Sequence, residues 1–512
     1  MIKVNTTKID NNLLYRRQYF IGPQFVDRFE SWNKIKVGKN IHITAHPDLT
    51  VTTTIKGDTE LALLGFVFDS KNPLYSNKQI LESMLIQSNS FQDIIKLTYP
   101  LAGRWIIIYS SNYELKLLHD PSGLRQIFYS KIENELWCAS QPHILASIFN
   151  IQLAENPDIH KYMKSKLFDL WERAWIGNGT AFNNIFHLIP NHFLDINLGQ
   201  TIRYWPDQEI EELYLEEVAV DSKNILENLF IAALNRYQIA QAVTSGWDTR
   251  LMLSISKNYT NDIYYFVQSF PPINESSTDI TVPKKIFNKL GIDFHIINAN
   301  ICTEEFEKIY FKNVYIAQSD HKKYQHYNYF QYFQDKLVIS GNVGPLIRNM
   351  IPPNLEDINP HNLARLMNRH NQRYAINAID VWLQQANELK NKFNVNLVKL
   401  FYWENHFGNW SSMYNSALDI ATEEFAPLNC RNLILKMLAI KSCYREYHPV
   451  LLYEKIITNS WPELLDFPIN PHICHNSKNT IKKSLMPPIM ETLRKIGLYK
   501  YVRSVYRKTI YN

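Results

Sequence analysis

A chain of 512 residues is too long for one hydrophobic core, so at least two domains are expected. Hydrophobic residues make up 46% of the sequence and aromatic residues 13%, which excludes a disordered protein. The net charge of +5 is uneven along the chain, because residues 478–512 carry nine basic residues and one acid.

The first 205 residues contain short β-type segments separated by turn residues, a pattern typical of antiparallel sheets. The segments lie at 61–69, 103–111, 115–120, 126–130 and 192–198. The charged, proline-containing stretch RYWPDQEIEELYLEEV (203–218) is interpreted as a linker. We therefore expect one domain over residues 1–205 and a second over residues 206–512.

After the linker, helical and strand patterns alternate. A helix leads into a short strand at 241–243, and the small-residue turn VTSGWDTR (243–250) precedes a helix over 250–259. A strand at 262–270 and a helix and strand within 277–298 follow. This order predicts a parallel sheet, whose ligands bind at the carboxyl ends of the strands. Backbone N–H groups of the turn at 243–250 then favour an anion.

The C-terminal residues 478–512 combine basic charge with apolar residues at helical spacing. We interpret them as a basic helix docked on its own domain; the alternative is contact with an anionic membrane surface or an acidic partner. No apolar run approaches bilayer length and the N-terminus lacks a signal-peptide pattern, so a cytoplasmic protein is expected. We expect no nucleic-acid partner. The sequence leaves the oligomeric state open.

The five cysteines are scattered without a CxxC pair, which indicates reduced, mostly buried thiols. His472, Cys474 and His475 are close enough in sequence to suggest zinc, but no second group of ligands completes a site.

The turn resembles the pyrophosphate loop Ser-Gly-Gly-x-Asp-Ser of the asparagine synthetase family. Its residues here are Thr244, Ser245, Gly246, Trp247, Asp248 and Thr249. The resemblance implies that the loop holds the β- and γ-phosphates of ATP and that Asp248 binds Mg²⁺. The chemistry agrees, because hydroxyl and N–H donors suit phosphate oxygens and a carboxylate suits a hard cation. Trp247 is expected to be a core aromatic, and Arg250 to be a phosphate ligand or, more commonly, solvated or ion-paired.

Two later segments extend the resemblance. ISGNVGPLIR (339–348) is similar to the family's second loop, with Ser340 and Gly341 matching. DIATEEFAPLN (419–429) and YWENHFGNW (402–410) resemble its helical C-terminal part. Glu423, four residues before a proline, takes the place of a catalytic glutamate; two consecutive glutamates are otherwise typical of an exposed helix face.

The N-terminal part resembles the family's class II glutaminase domain, through Asp120, Gly123, Arg125 and Tyr129. The implied fold is α+β followed by α/β. An Ntn-hydrolase-like sandwich of antiparallel sheets would precede a Rossmann-like parallel sheet of the ATP-pyrophosphatase type with a helical C-terminal part.

The departures from the family pattern matter for function. Such a glutaminase uses an N-terminal cysteine, whereas this chain begins Met1-Ile2, and Leu64 takes the place of the oxyanion-hole asparagine. Glutamine hydrolysis is therefore not expected, and the N-terminal domain is interpreted as structural.

The second loop departs as well. Asn342 replaces a catalytic Glu or Tyr, and Pro345 replaces a metal-binding Asp and has neither charge nor N–H. Magnesium binding is weakened unless Asp279 or another acid substitutes. The resemblance implies a lysine that stabilises departing pyrophosphate, and Lys478, Lys482 and Lys483 of the tail are candidates; the sequence leaves open which of them, if any, has this role.

The first hypothesis is an ATP- and Mg²⁺-dependent ligase that adenylates a small-molecule or peptide carboxylate and passes it to an amine or ammonia. A related hypothesis is amidation of a sugar acid in a surface-polysaccharide pathway, and a third is asparagine synthesis from ammonia. The competing hypothesis is an inactive scaffold that keeps the fold. Acids that reach the second loop would favour the ligase.

Overall fold

The N-terminal half contains two six-stranded antiparallel sheets. Their orders are β10-β8-β9-β1-β3-β2 and β12-β11-β7-β6-β5-β4. The strands are β1 (Tyr19–Gly22), β2 (Asn33–Val37), β3 (Ile41–Ala45), β4 (Val51–Lys56), β5 (Thr59–Asp69), β6 (Leu101–Ser110), β7 (Leu115–His119), β8 (Phe128–Ile132), β9 (Glu135–Ala139), β10 (Phe186–His187), β11 (His192–Asp195) and β12 (Gln200–Arg203).

The two sheets face each other, and helices cover the outer face of the second one. Along β5, Ala62 and Leu64 pack between the sheets with Ile43 and Ile106, while Leu61 and Leu63 point to the opposite face. Because both faces are buried, the strand is a continuous apolar run instead of an alternating one. The helices of this half are α1 (Asn77–Gln87), α2 (Phe91–Leu97), α3 (Pro142–Phe149), α4 (Pro157–Met163) and α5 (Lys166–Leu170).

The second half is built on a five-stranded parallel sheet of order β15-β14-β13-β16-β17. Its strands are β13 (Gln238–Ala242), β14 (Ile263–Ser269), β15 (His295–Asn298), β16 (Lys336–Ile339) and β17 (Glu423–Phe425). The helices are α6 (Leu215–Leu234), α7 (Trp247–Ile255), α8 (Thr278–Leu290), α9 (Glu304–Asn313), α10 (Lys322–Tyr332), α11 (Gly344–Ile347), α12 (Pro360–Leu366), α13 (Arg373–Phe393), α14 (Leu397–Phe401), α15 (Ser412–Leu418), α16 (Arg431–Leu438) and α17 (Leu451–Ser460). A π-helix, Tyr402–Ser411, joins α14 to α15.

The predicted change from antiparallel to parallel sheet is confirmed, and the molecule is a mixed α/β protein. The five predicted N-terminal segments overlap β5, β6, β7, β8 and β11. The interpretation of residues 203–218 as a linker is wrong at its C-terminal end, because α6 begins at Leu215. Val218 and Ala219 are fully buried there, so core packing extends the helix into a segment whose charge suggested a linker.

Buried polar groups join the antiparallel half to the helices of the second half. Glu404, in the π-helix, accepts hydrogen bonds from Arg203 (Nη2 to Oε2, 2.8 Å), from Trp382 Nε1 (2.7 Å) and from Asn191 Nδ2 (3.0 Å). Its side chain is inaccessible to solvent. Because a buried carboxylate needs such partners, this contact fixes the packing of the two halves.

The structure describes residues 11–170, 172–269, 273–348, 355, 357–446 and 450–471. Residues up to Ile469 cluster as one unit, within which the two halves above are in contact, and a second unit runs from Asn470 to Asn512. Among the helices of these ranges, none is long and apolar enough to cross a membrane.

Candidate functional site

The predicted pyrophosphate loop, residues 244–249, lies at the carboxyl end of β13, the central strand of the parallel sheet. Gly246 is the N-cap of α7, in an extended conformation. The loop therefore occupies the position where parallel sheets bind ligands, ahead of a helix N-terminus.

Three N–H donors of this loop are occupied by the protein itself. Thr244 N donates to Thr249 Oγ1 (3.1 Å), and Gly246 N donates to Thr244 Oγ1 (3.3 Å). Ser245 N and Oγ both donate to Asp279 Oδ1, at 3.1 and 2.7 Å. A carboxylate from the first turn of α8 thus already takes the place of an anion, so a phosphate would have to exchange with it.

The second loop, residues 340–344, follows β16 and packs directly on the first. A Cβ built on Gly341 would lie 2.5 Å from the Cβ of Asp248, and one built on Gly344 would overlap Asp248 Oδ1. Glycine is required at both positions because the two loops approach so closely. Val343, between them, has a φ of 71°, which is strained for a β-branched residue and typical of functional segments.

Asp248 forms a two-pronged ion pair with Arg348, the residue that follows α11. Arg348 Nε donates to Asp248 Oδ1 (2.9 Å) and Nη2 donates to Oδ2 (2.5 Å). The two side chains are 17% and 8% exposed. Burial raises the pKa of Asp248, and the Arg348 guanidinium opposes that rise. Sequence reasoning did not single out Arg348, although it closes the quoted segment ISGNVGPLIR.

The resemblance implies Mg²⁺ on Asp248, and the described residues do not fit it. Both carboxylate oxygens of Asp248 are held by a guanidinium, and Asp279 is held by Ser245. Within the described ranges, no group of three or more His, Cys, Asp or Glu side chains could hold a metal ion. The positive charge that a metal would supply comes from Arg348 instead.

An acid does reach the second loop, and it is Glu424. Asn342 Nδ2 donates to Glu424 Oε1 (3.3 Å), and Ser411 Oγ donates to Asn342 Oδ1 (3.4 Å). Glu424 is only 4% exposed, and burial raises its pKa. A carboxyl group therefore lies beside Asn342, at the position where the resemblance implies a catalytic residue.

The wall beside Glu424 is polar and buried. Tyr329 and Tyr414 lie close enough to Glu424 for its charge to affect the pKa of both phenols, which burial raises. Gln325 Nε2 donates to Tyr414 Oη at 3.5 Å, and Lys322 Nζ lies 5.2 Å from the centre of the Tyr414 ring. The carboxyl group thus lies among hydroxyl, amide and ammonium donors.

Glu423 points to the opposite face of the sheet, because successive side chains of a strand alternate. Arg125 Nη2 donates to both oxygens of Glu423 (2.7 and 2.9 Å), and Arg104 Nη1 donates to Oε2 (3.1 Å). These arginines lower the pKa of Glu423 to about 2 despite its burial. The suggestion of an exposed helix face is wrong, since both glutamates belong to β17. The catalytic role expected for Glu423 stays a prediction, and its contacts are those of an ion cluster between the halves.

Two further expectations concern α7. Trp247 is 4% exposed and belongs to the main hydrophobic core, as predicted. Arg250 is neither solvated nor placed as a phosphate ligand. Its guanidinium is buried and donates to the backbone oxygens of Leu464 (2.6 Å), Phe467 (3.3 Å) and Pro468 (3.2 Å). Arg250 thus holds the segment after α17 against α7.

Some predicted residues lie outside the described ranges. These are His472, Cys474 and His475, the lysines Lys478, Lys482 and Lys483, and the rest of the basic tail. Of the four described cysteines, Cys138, Cys302 and Cys430 are buried and Cys443 is exposed. Leu64, which the resemblance aligns with an oxyanion-hole asparagine, is fully buried between the two antiparallel sheets.

Comparisons with known proteins add little. No protein-family model matches the chain, and no curated protein matches it significantly. Among solved structures it is similar to glutamine phosphoribosylpyrophosphate amidotransferase from B. subtilis, a complex with ADP and GMP. The identity is 12% over 66% of this chain and 73% of that chain, with a TM-score of 0.26.

A second similar structure is described as the allosteric regulatory enzyme of purine biosynthesis. The identity is 11%, over 59% of this chain and 73% of that one, with a TM-score of 0.24. Likenesses this weak carry no argument about the site, so the resemblance to the asparagine synthetase family stays a prediction.

Proposed function

We propose that the protein is an asparagine synthetase-like ligase that uses ATP to activate a carboxylate and passes it to an amine without hydrolysing glutamine. The observation that carries the proposal is the contact between the loops 244–249 and 340–344 at the carboxyl ends of two adjacent parallel strands. This contact brings hydroxyl groups, N–H groups, one acid and one arginine together at a helix N-terminus.

The described residues support the binding of a phosphorylated ligand through exchange of hydrogen bonds. Arg348 can turn from Asp248 to phosphate oxygens, since a guanidinium binds both groups in the same two-pronged geometry. Ser245 can exchange the Asp279 carboxylate for a phosphate oxygen in the same way. ATP binding thus requires an internal rearrangement and does not need a new donor.

Glu424 is the group proposed to accept a proton from the attacking amine. A carboxyl group with a raised pKa is a stronger base than an exposed one, and Asn342 orients it from the second loop. The neighbouring tyrosines and Lys322 supply donors that could hold a polar substrate beside it.

The N-terminal half is proposed to have no part in the chemistry. The thiol of Cys138 is buried and burial raises its pKa, so it cannot serve as an exposed nucleophile. Leu64 offers no oxyanion donor. The amine or ammonia must therefore come from solution or from the second substrate.

Calorimetric titration with ATP, with and without Mg²⁺, tests the proposal, followed by pyrophosphate release with panels of amino-acid and sugar-acid carboxylates. We expect ATP binding by the native chain and loss of pyrophosphate release in Asp248→Asn. Asp293→Asn, which changes an exposed acid, serves as the matched control. Absence of ATP binding to the folded native chain would overturn the proposal.

A second candidate function is a scaffold without catalysis. It is favoured by the Asp248–Arg348 pair, which neutralises the acid that would hold a metal, and by Pro345 in the second loop. On this alternative, neither ATP nor Mg²⁺ binds, and Asp248→Asn affects stability alone.

A further inference from the structure

A cavity of about 580 Å³ lies between the segment that follows β12 and the helices α13, α14 and α16. It is distinct from the candidate active site, since its lining includes no residue of the loops 244–249 and 340–344. Its volume lies in the range of pockets that enclose small molecules. We call it the linker cavity.

The inner end of the linker cavity carries two cationic side chains. Lys399 is 8% exposed, and its Nζ donates to the backbone oxygens of Leu346 (3.4 Å) and Arg348 (3.3 Å). Arg445 Nη1 donates to the backbone oxygen of Ile347 (3.2 Å). Both cations therefore lie against the C-terminal end of α11.

Lys399 is available to an anion. An ammonium group has three donors. Its two described acceptors are neutral carbonyls, and both hydrogen bonds are long. No carboxylate of the described chain forms an ion pair with it, and burial together with Arg445 lowers its pKa to about 7. A bound carboxylate would supply the missing counter-charge, which a buried ammonium group requires.

The lining of the linker cavity also includes acidic and apolar side chains. Glu209, Glu211 and Glu212 are exposed lining residues on the segment after β12. The wall includes Phe393 and Leu438, both half-buried. The linker cavity therefore combines side chains of both charges with apolar surface in one lining.

We propose that the linker cavity binds a small zwitterion, with its carboxylate at Lys399, its ammonium group at the glutamates and its apolar body against Phe393 and Leu438. A molecule with two anionic groups is disfavoured by the three glutamates, and an amine alone leaves Lys399 without a counter-charge. The proposal does not depend on the ligase function, because no residue of the two loops lines the cavity.

Calorimetry with L-phenylalanine and L-leucine as probes, without ATP, tests this proposal. Binding of at least one of them is expected, at least tenfold weaker in Lys399→Met and unchanged in Lys390→Met, which alters an exposed lysine of α13. Two truncated probes, 3-phenylpropionate and 2-phenylethylamine, should each bind at least tenfold more weakly than L-phenylalanine.

Leu438→Trp provides a second variant that fills the cavity without removing a charge. It should abolish probe binding while circular dichroism shows an intact fold. Failure of both amino acids to bind the native chain, or equal binding by Lys399→Met, would overturn the proposal. Equal binding of 3-phenylpropionate would also overturn it, because the glutamates would then have no role. Asp248→Asn should retain probe binding even if it loses pyrophosphate release, which separates this proposal from the ligase proposal.

Discussion

Arg348 holds both oxygens of the Asp248 carboxylate, so the acid of the first loop is neutralised by a residue that directly follows the helix of the second. The two loops are thereby joined by charge as well as by the close contact of their glycines. The backbone oxygen of Arg348 accepts in turn from Lys399, which links this ion pair to the inner end of the linker cavity.

Removing Arg348 alone should destabilise the fold strongly. Arg348→Met leaves the Asp248 carboxylate buried without its partner, and the loss of one member of a buried pair typically costs about 3–5 kcal/mol. The double variant Asp248→Asn with Arg348→Met should recover much of this loss, because no uncompensated charge remains. Urea unfolding of the native chain and the single and double variants measures both effects. Equal stability of the native chain and Arg348→Met would show that the pair is solvated.

Glu423 should contribute stability that depends on pH. Its pKa falls from 4.5 to about 2 in the folded chain, and a difference of this size corresponds to about 3 kcal/mol. Because the folded-state pKa is the lower one, this stability is present above about pH 4.5 and is lost as the pH falls toward 2. Glu423→Gln should be less stable at pH 7 and show a shallower acid loss, measured by urea unfolding from pH 7 to pH 3.

Glu424, the next residue, supplies a matched control whose contribution to stability changes with pH in the opposite direction. Burial raises the pKa of Glu424, so the charged form is disfavoured in the folded chain and stability falls as the pH rises through its folded-state pKa. Glu424→Gln should therefore be at least as stable as the native chain at pH 8 and equal to it at low pH. A large loss of stability in Glu424→Gln at pH 8 would contradict this assignment.

A methyl group at Gly344 should separate the loops. In Gly344→Ala the new Cβ would overlap Asp248 Oδ1, so the carboxylate must move away from Arg348. Forced repacking of this kind typically costs about 1–3 kcal/mol. Thermal unfolding measures the loss, and the same substitution in a chain that already carries Asp248→Ala should cost much less. If both backgrounds lose the same amount, the carboxylate is not the group that the methyl displaces.

Iodoacetamide should label Cys443 in the folded protein and spare Cys138, Cys302 and Cys430. Cys443 is exposed, whereas the other three are buried and burial raises their pKa values, to about 12 for Cys430. Peptide mass spectrometry before and after denaturation measures the difference. Rapid labelling of Cys138 in the folded state would contradict its burial. Because no exposed thiol of the N-terminal half is then available as a nucleophile, incubation with glutamine should release no glutamate.

Much of the fold could be predicted from periodicity. The strand patterns at 61–69 and 103–111 and the alternation after residue 240 located the sheets and the loop 244–249 correctly. The orientation of Glu423 and Glu424 could not be predicted, because one residue of register exchanges the two faces of a strand. The motif spacing favoured Glu423, whereas the strand directs Glu424 to the second loop.

The ion pairs could not be predicted from the sequence either. Arg348 and Asp248 are separated by 100 residues, and no local pattern connects them. Lys399 lies within an apolar helical segment, where a lone lysine suggests a solvated surface residue. Only the packing of α14 on α11 shows that its ammonium group is buried.

The N-terminal half supplies the positive charges that neutralise Glu404 and Glu423 of the second half. Arg104, Arg125 and Arg203 belong to the antiparallel sheets or the turn between β7 and β8, whereas the glutamates belong to the second half. Cutting the chain near residue 205 would leave Glu404 and Glu423 without these cations and would remove Phe68 from the ring of Phe425. The N-terminal half is therefore required for the solubility of the second half, and the two halves should be recovered together or not at all.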